Sequence, residues 1–378
     1  MASNAIELPF AVISCNTFPY CPALACKSTL IIYLLFGFKM PKFDTNNRIQ
    51  IYGHRGARAL SPENTIPAYK TMMAIGVDFI DMDINLTQDG ELVVTHDMRL
   101  NPAITRRKGS NEFITEKPWI LDLTLAKLKE YDVGRVDLAS DYGRTFPDQY
   151  PVDGTEIPTL REVIQFAKAV AGDDIQFQIE MKTEPQLYPG HPVIKSAAPK
   201  VMAEKLVCIL QEECIEDRVE IQAFDYRCLK EVRKLNENIA LQFLTANDAY
   251  ENWLNPNPEI AGLWTAGELP ADHKDSIPQM VKDLGGKVRG VEDTGLTKTR
   301  LDDAKALGLK VVVWSLPSYP ETQINVPLTE KLIDWGIDGF ITDRPDIIRG
   351  LLAARGMYDL PSPLPGKLIS SELKTLRD

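Results

Sequence analysis

Several common features are missing from this chain, and each absence removes a class of function. The apolar run from Ser28 to Phe38, between Lys27 and Lys39, is shorter than the roughly 20 residues a membrane-spanning helix needs. It has the size of a signal-peptide core, but a long stretch containing Glu7 precedes it and no small-residue cleavage site follows. A basic excess is also missing: 42 Lys and Arg against 53 Asp and Glu leave a net charge of −11. That argues against a nucleic-acid footprint, which needs basic patches. A phosphate-bearing small molecule stays open, because local Arg, Lys or a metal ion outweighs the overall charge there. Cysteines with tight metal-binding spacing are absent as well. Cys15, Cys21 and Cys26 lie near the start, and Cys208, Cys214 and Cys228 in the body cannot all pair. A reducing compartment is the simpler reading. Met40 opens a polar stretch that leads into the first core strand, so residues 1–39 read as an upstream extension with Met40 as the working start. That favours a cytoplasmic protein; a targeting role for residues 1–39 would instead make it secreted or periplasmic.

Histidine is the scarcest of the reactive residue types, with four in 378 residues, and two of them bracket one acidic stretch. The chain reads Gly53-His54-Arg55-Gly56, then Pro62-Glu63-Asn64-Thr65, then Asp81 and Asp83, then Thr95-His96-Asp97. Two imidazoles divide acid and base duties near neutral pH, since an unperturbed histidine titrates at about 6.5. Asp81 and Asp83 sit two apart on a strand-like segment and so share a face. Bare carboxylates about 4 Å apart repel by roughly 4 kcal/mol at an effective dielectric near 20. A proton or a hard divalent cation relieves that repulsion. Alone, each piece has a plain structural reading: a hydrogen-bonded histidine, a solvated Asp-x-Asp face, or a helix start with Pro and Asn as turn or capping residues. Their recurrence in one order points to metal-assisted acid–base chemistry on an oxyanion.

The order of these motifs resembles the glycerophosphodiester phosphodiesterase family, a group of phosphodiesterase barrels related to phosphoinositide phospholipase C. The matching residues are His54-Arg55-Gly56, Pro62-Glu63-Asn64-Thr65, Gly76-Val77-Asp78-Phe79-Ile80-Asp81-Met82-Asp83, Thr87-Gln88-Asp89-Gly90 and Val93-Val94-Thr95-His96-Asp97. Glu180-Met181-Lys182 and the run Gly336 to Pro345 complete the pattern. The resemblance covers residues 48–350, leaving 351–378 as a C-terminal tail. Two departures stand out. Asp81 replaces the family's usual Glu, a shortening of about 1 Å in reach toward a metal. Ala223-Phe224 stands where the family often has Ser-Phe.

The resemblance implies hydrolysis of deacylated phospholipids to sn-glycerol 3-phosphate and an alcohol, in glycerol and lipid metabolism. It implies His54 and His96 as general acid and base, in an order left open. Asp81, Asp83 and Glu180, with Glu63 as a fourth group, would hold one Ca²⁺ or Mg²⁺. Arg55 and Lys182 are the candidates for the phosphate, and Gln222, Phe224 and Trp314 for the wall against the glycerol or alcohol. It also implies attack by the substrate's own glycerol hydroxyl, giving a cyclic phosphate that water then opens. Asp338 and Asp343 read as braces of the last barrel loop. His191 reads as a loop residue and His273 carries no signal. The expected partner is a small glycerophosphodiester, with no nucleic acid and no membrane span; the oligomeric state stays open. Two alternatives remain: a phospholipase-D-like barrel acting on lysophospholipids or sphingolipids, and a non-catalytic phosphodiester-binding barrel.

Strand-like and helix-like segments alternate over most of the chain without an obvious linker, which favours a (β/α)8 TIM barrel over two wound sheets. Strands are expected at 49–53, 78–86, 91–95, 175–181, 219–223, 240–244, 288–291, 310–315 and 339–341. That is one more than a closed eight-stranded barrel takes. Gln88-Asp89-Gly90 marks a hairpin, which places one strand outside the regular order. Residues 98–155 read as an inserted excursion.

Overall fold

The computed structural model describes residues 48–172, 175–186, 194–246, 262–314 and 324–358, all within the compact unit Phe43–Asp378. The expected extension 1–39 and His191 lie outside the described residues. Eleven strands run in chain order: β1 Gln50–Gly53, β2 Phe79–Leu86, β3 Leu92–Val94, β4 Arg106–Arg107, β5 Tyr131–Asp132, β6 Gln176–Met181, β7 Val219–Ala223, β8 Ala240–Thr245, β9 Val288–Glu292, β10 Lys310–Trp314 and β11 Gly339–Thr342. β1, β2 and β6 to β11 pair in parallel, and β1 closes the circle by bonding both β11 and β2. The result is an eight-stranded (β/α)8 barrel. β3 is the extra strand: it pairs antiparallel with β2 through the Asp89-Gly90 turn and stays outside the ring.

Period-two patterning sorts every strand into two faces. On β2, Ile80, Met82 and Ile84 join the hydrophobic layer under the helices, while Phe79, Asp81 and Asp83 take the opposite parity. β6 repeats this with Phe177, Ile179 and Met181 outward and Gln178 and Glu180 inward; β7 does so with Ile221 outward and Gln222 inward. Each fully buried aliphatic side chain in that layer contributes about 1.5–3 kcal/mol. The barrel interior combines an apolar cluster of Tyr52, Phe79, Val288, Val312 and Ile341 with buried polar chains. At its floor Lys310 meets Glu220 at 2.9 Å, and Tyr52 donates to Glu220 at 3.1 Å. Above the floor, Gln178 donates to Gln242 (2.8 Å), Gln242 to Gln222 (2.9 Å) and Gln222 to Asp81 (2.8 Å). Amides can chain this way because each carries both a donor and an acceptor.

Helices alternate with the barrel strands, and local chemistry sets their ends. Ile66–Ile75 begins at Thr65, whose hydroxyl accepts the Ala68 amide, so Thr65 rather than Asn64 is the cap. Leu160–Ala171 opens with a Thr159/Glu162 capping box. The last described helix, Pro345–Ala354, runs across residue 350. Residues 98–155 form the excursion, holding the β4–β5 pair and the short helix Asp141–Thr145; its apolar side chains cluster with Val93 and Ile157. Among the described residues no helix is long and apolar enough to cross a membrane. Cys208, Cys214 and Cys228 are thiols, not disulfides.

Candidate active site

The catalytic candidates gather at the carboxyl ends of the barrel strands. His54 follows β1, Asp81 and Asp83 lie on β2, His96 follows β3, Glu180 and Lys182 end β6, Gln222 and Phe224 end β7, and Trp314 ends β10. A cavity of about 850 Å³ opens there, lined by His54, Arg55, His96, Glu180, Lys182, Gln222, Phe224 and Trp314 among others. Asp81, Asp83 and Glu63 lie buried behind that lining.

The Gly-His-Arg-Gly turn is fixed by space. Gly56 has φ +94°, and a Cβ there would come within 2.4 Å of the Ala68 Cβ. Arg55 is itself left-handed at φ +50°, a strained conformation held by its surroundings. That twist turns its backbone N–H onto Asp81 Oδ2 at 3.2 Å. Its guanidinium meets Glu63 at 3.0 Å and lies 3.3 Å from Asp83. The atom that faces Asp83 is the buried Nε, in an ion-pair contact without hydrogen-bond alignment. The Pro-Glu-Asn-Thr motif divides its labour across the site. Glu63 takes Arg55 and the Tyr142 hydroxyl. Asn64 donates to Asp83 at 2.9 Å and accepts from Tyr69. Thr65 caps the helix.

Each site histidine is tied to a carboxylate at Nδ1. His54 Nδ1 lies 2.7 Å from Asp343, which also receives the Arg58 fork at 2.8 and 2.7 Å. Arg58 and His54 hold the Asp343 carboxyl far below the usual range despite its burial, so it is ionised. An ionised carboxylate only accepts, so Nδ1 of His54 carries the proton and Nε2 is left as the basic position. His96 repeats this with Asp97 at 2.7 Å. Burial lowers the pKa of both rings: His54 against the pull of Asp343, and His96 to about 4 with help from Arg55 and Lys182.

The acidic cluster is partly balanced by its own cations. Burial, then repulsion from Asp83 and Glu180, pushes Asp81 well above the usual carboxylate range. Asp83 goes the other way, because Lys182, His96 and Arg55 outweigh its burial. Burial also raises Glu180, although Lys182 sits 2.5 Å away. Asp83 and Glu180 are direct cross-strand partners. Among the described residues, no three His, Cys, Asp or Glu side chains converge as a ready metal-holding group. The oxygen-only donors of Asp81, Asp83 and Glu180, two of them disfavoured as anions beside one another, nevertheless suit a hard divalent cation in chemistry and charge.

This arrangement coincides with one family model, the glycerophosphoryl diester phosphodiesterase family, which matches residues 54–347. The chain belongs to that family. Among curated relatives, the glycerophosphodiester phosphodiesterase of Caldanaerobacter subterraneus is 28% identical over 306 residues, covering 81% of this chain and 98% of that protein. That of Bacillus subtilis is 27% identical, covering 80% and 85%. A solved chain from Silicibacter pomeroyi DSS-3 has a TM-score of 0.68 at 26% identity, covering 82% of this chain and 94% of that one. An Oleispira antarctica phosphodiesterase, solved with the product sn-glycerol-3-phosphate, shares the fold at TM-score 0.57 and 20% identity, covering 81% and 97%.

The chain is therefore a glycerophosphodiester phosphodiesterase-family enzyme, and its site contains groups that motif reading left out. Asp343 is more than the loop brace expected of it, since it positions His54. Asp338 keeps the bracing role, accepting the Val311 amide at 2.7 Å. Arg58 and Tyr142 carry no motif signal, yet Arg58 anchors Asp343 and Tyr142 reaches Glu63 from the excursion. Trp264 joins the cavity wall, and Phe224 and Trp314 meet edge to face at 5.6 Å. His273 pairs with Glu268 and Asp283 and does not line the cavity.

Proposed function

We propose that this chain hydrolyses glycerophosphodiesters to sn-glycerol 3-phosphate and a free alcohol, with His54 and His96 as the proton-transferring pair. The observation that carries the reading is the matched construction of the two rings. Both line one cavity, both are tied at Nδ1 to a carboxylate, and both are held neutral by burial. The glycerol 2-hydroxyl attacks phosphorus while one Nε2 takes its proton, and the bond to the alcohol oxygen breaks. The other ring gives that oxygen a proton, and water then opens the cyclic phosphate with the roles reversed. The acid member enters protonated because the arriving phosphate adds negative charge beside it, opposing the burial that otherwise keeps it neutral.

Arg55 and Lys182 border the cavity and supply positive charge to the non-bridging oxygens. Asp81, Asp83 and Glu180 would hold a Ca²⁺ or Mg²⁺, with Glu63 behind Arg55. When bound, the cation supplies Lewis-acid neutralisation of the phosphate charge. Gln222 keeps Asp81 aimed, and Phe224 and Trp314 exclude water from the glycerol side. The test is release of glycerol 3-phosphate from glycerophosphocholine by the full chain after chelation, then with Ca²⁺ or Mg²⁺ restored. Release that returns only with the cation supports the whole reading. Equal release under chelation removes the metal from it, and release only from lysophospholipid replaces the substrate class.

A further inference from the structure

The cavity is larger than glycerol phosphate requires. At about 850 Å³ it lies in the range that encloses a drug-sized ligand, so much of it is left for the departing alcohol. The catalytic groups occupy the strand ends, and a further part of the wall comes from the start of the excursion, with Arg99, Asn101, Lys117 and Trp119. Two backbone links join the halves of that wall: Arg99 bridges Trp119 in antiparallel fashion, and the Leu100 amide donates to the Pro118 carbonyl at 2.9 Å. They hold Arg99 opposite Trp119 and bring it to the backbone of Lys117.

Charge on this wall is uncompensated. Arg55, Arg58 and Lys182 all meet carboxylates, whereas among the described residues neither Arg99 nor Lys117 forms an ion pair. The cavity's own carboxylates are engaged: Asp97 with His96, Glu180 with Lys182, and Glu184 likewise has a partner. The Arg99 guanidinium lies 3.6 Å over the Trp119 ring, and its Nη1 donates to the Lys117 carbonyl at 3.3 Å. The stacked ring face is thus already taken by a cation and cannot serve a choline-like ammonium. Stacking also pre-orients the guanidinium fork, which matches phosphate or carboxylate geometry.

We propose that Arg99, braced on Trp119, and Lys117 form a subsite for an anionic substituent, a phosphate or a carboxylate, on the leaving alcohol. The proposal rests on the diesterase reading above. Two matched substrate pairs test it at saturating Ca²⁺ or Mg²⁺. Glycerophosphoserine against glycerophosphoethanolamine differs by a carboxylate. Glycerophosphoinositol 4-phosphate against glycerophosphoinositol differs by a phosphate. At least one anionic member is expected to have kcat/KM about tenfold higher, expressed in KM, the scale of one charge-assisted contact at a partly wet mouth. Which pair shows it identifies the anion. Arg99→Gln and Lys117→Gln should each bring that ratio toward one while leaving unchanged the rate on the member that lacks the extra anion, and added salt should narrow it too. Equal kcat/KM within both pairs overturns the subsite and leaves the diesterase reading intact, as do variants that lower both members alike. No glycerol 3-phosphate from any of the four overturns the diesterase reading and the subsite with it.

Discussion

Replacing Asp343 by Asn isolates the least expected part of the site. The change keeps the side-chain shape but removes the charge that fixes the His54 tautomer at 2.7 Å and neutralises Arg58 at 2.7 and 2.8 Å. An asparagine amide can present its N–H₂ to His54 and stabilise the other tautomer, with Nε2 protonated and no longer basic. A positioned acid–base group contributes about 10²–10⁴ in rate, so kcat should fall by about 10²–10³. Arg58 is buried, and losing its carboxylate partner should cost about 3 kcal/mol, the low end for a broken buried pair because one acceptor remains. At about 2–4 °C per kcal/mol, the melting temperature should drop by about 6–12 °C. Asp343 also pulls the His54 pKa up against burial, so whichever limb of the pH–rate profile His54 governs should move to lower pH. Coupled measurement of glycerol 3-phosphate release from pH 5 to 9, beside thermal melts, reads all three. The double variant Arg58→Met, Asp343→Asn separates the effects, because it leaves no unpaired charge: stability should largely return and the rate should not. A folded Asp343→Asn enzyme with kcat within about threefold of the parent, or a double variant that regains its rate along with its stability, would refute this account of Asp343.

His96→Ala should lower kcat by about 10²–10⁴ with the melting temperature nearly unchanged, because the ring is only half buried and its partner Asp97 keeps access to water. Gln242→Leu breaks the amide chain at its middle, leaving Gln222 Oε1 and Gln178 Nε2 without partners. A loss of about 2–3 kcal/mol in denaturant unfolding is expected, and kcat should fall as Gln222 loosens on Asp81. His273 has its pKa raised, chiefly by the hydrogen bond to Asp283 and then by Glu268. Its contribution is therefore full below the ordinary value of about 6.5 and is lost as pH rises through the raised one. The melting-temperature gap between parent and His273→Gln should thus be wider at about pH 5.5 than at about pH 8.5, and a gap that widens with pH would contradict the pairing.

Sequence alone determined the barrel's strands and the acidic and histidine groups they carry. Side-chain alternation in FIDMDINL and QFQIEM assigns each residue to one face of its strand, and that local rule already sets Asp81 and Asp83 on one shared face and Glu180 apart from its apolar neighbours. The Asp89-Gly90 turn explains the extra strand for the same reason, since turn chemistry acts within a few residues. Periodicity names a face but not the partner across it, and the tertiary structure decided the partners. Barrel closure between β1 and β11 brings Asp343 to His54 across 289 positions of sequence. Folding back of the excursion brings Tyr142 to Glu63 and puts Arg99 and Lys117 in the same cavity wall as the histidines. Three strands must lie side by side before Gln178, Gln242 and Gln222 can satisfy one another, because a single buried amide has no local signal for where its partner lies. The motifs fixed which chemical groups are present; closing the ring fixed the charge each one feels, and so which carboxylates stay ionised and which histidines stay neutral.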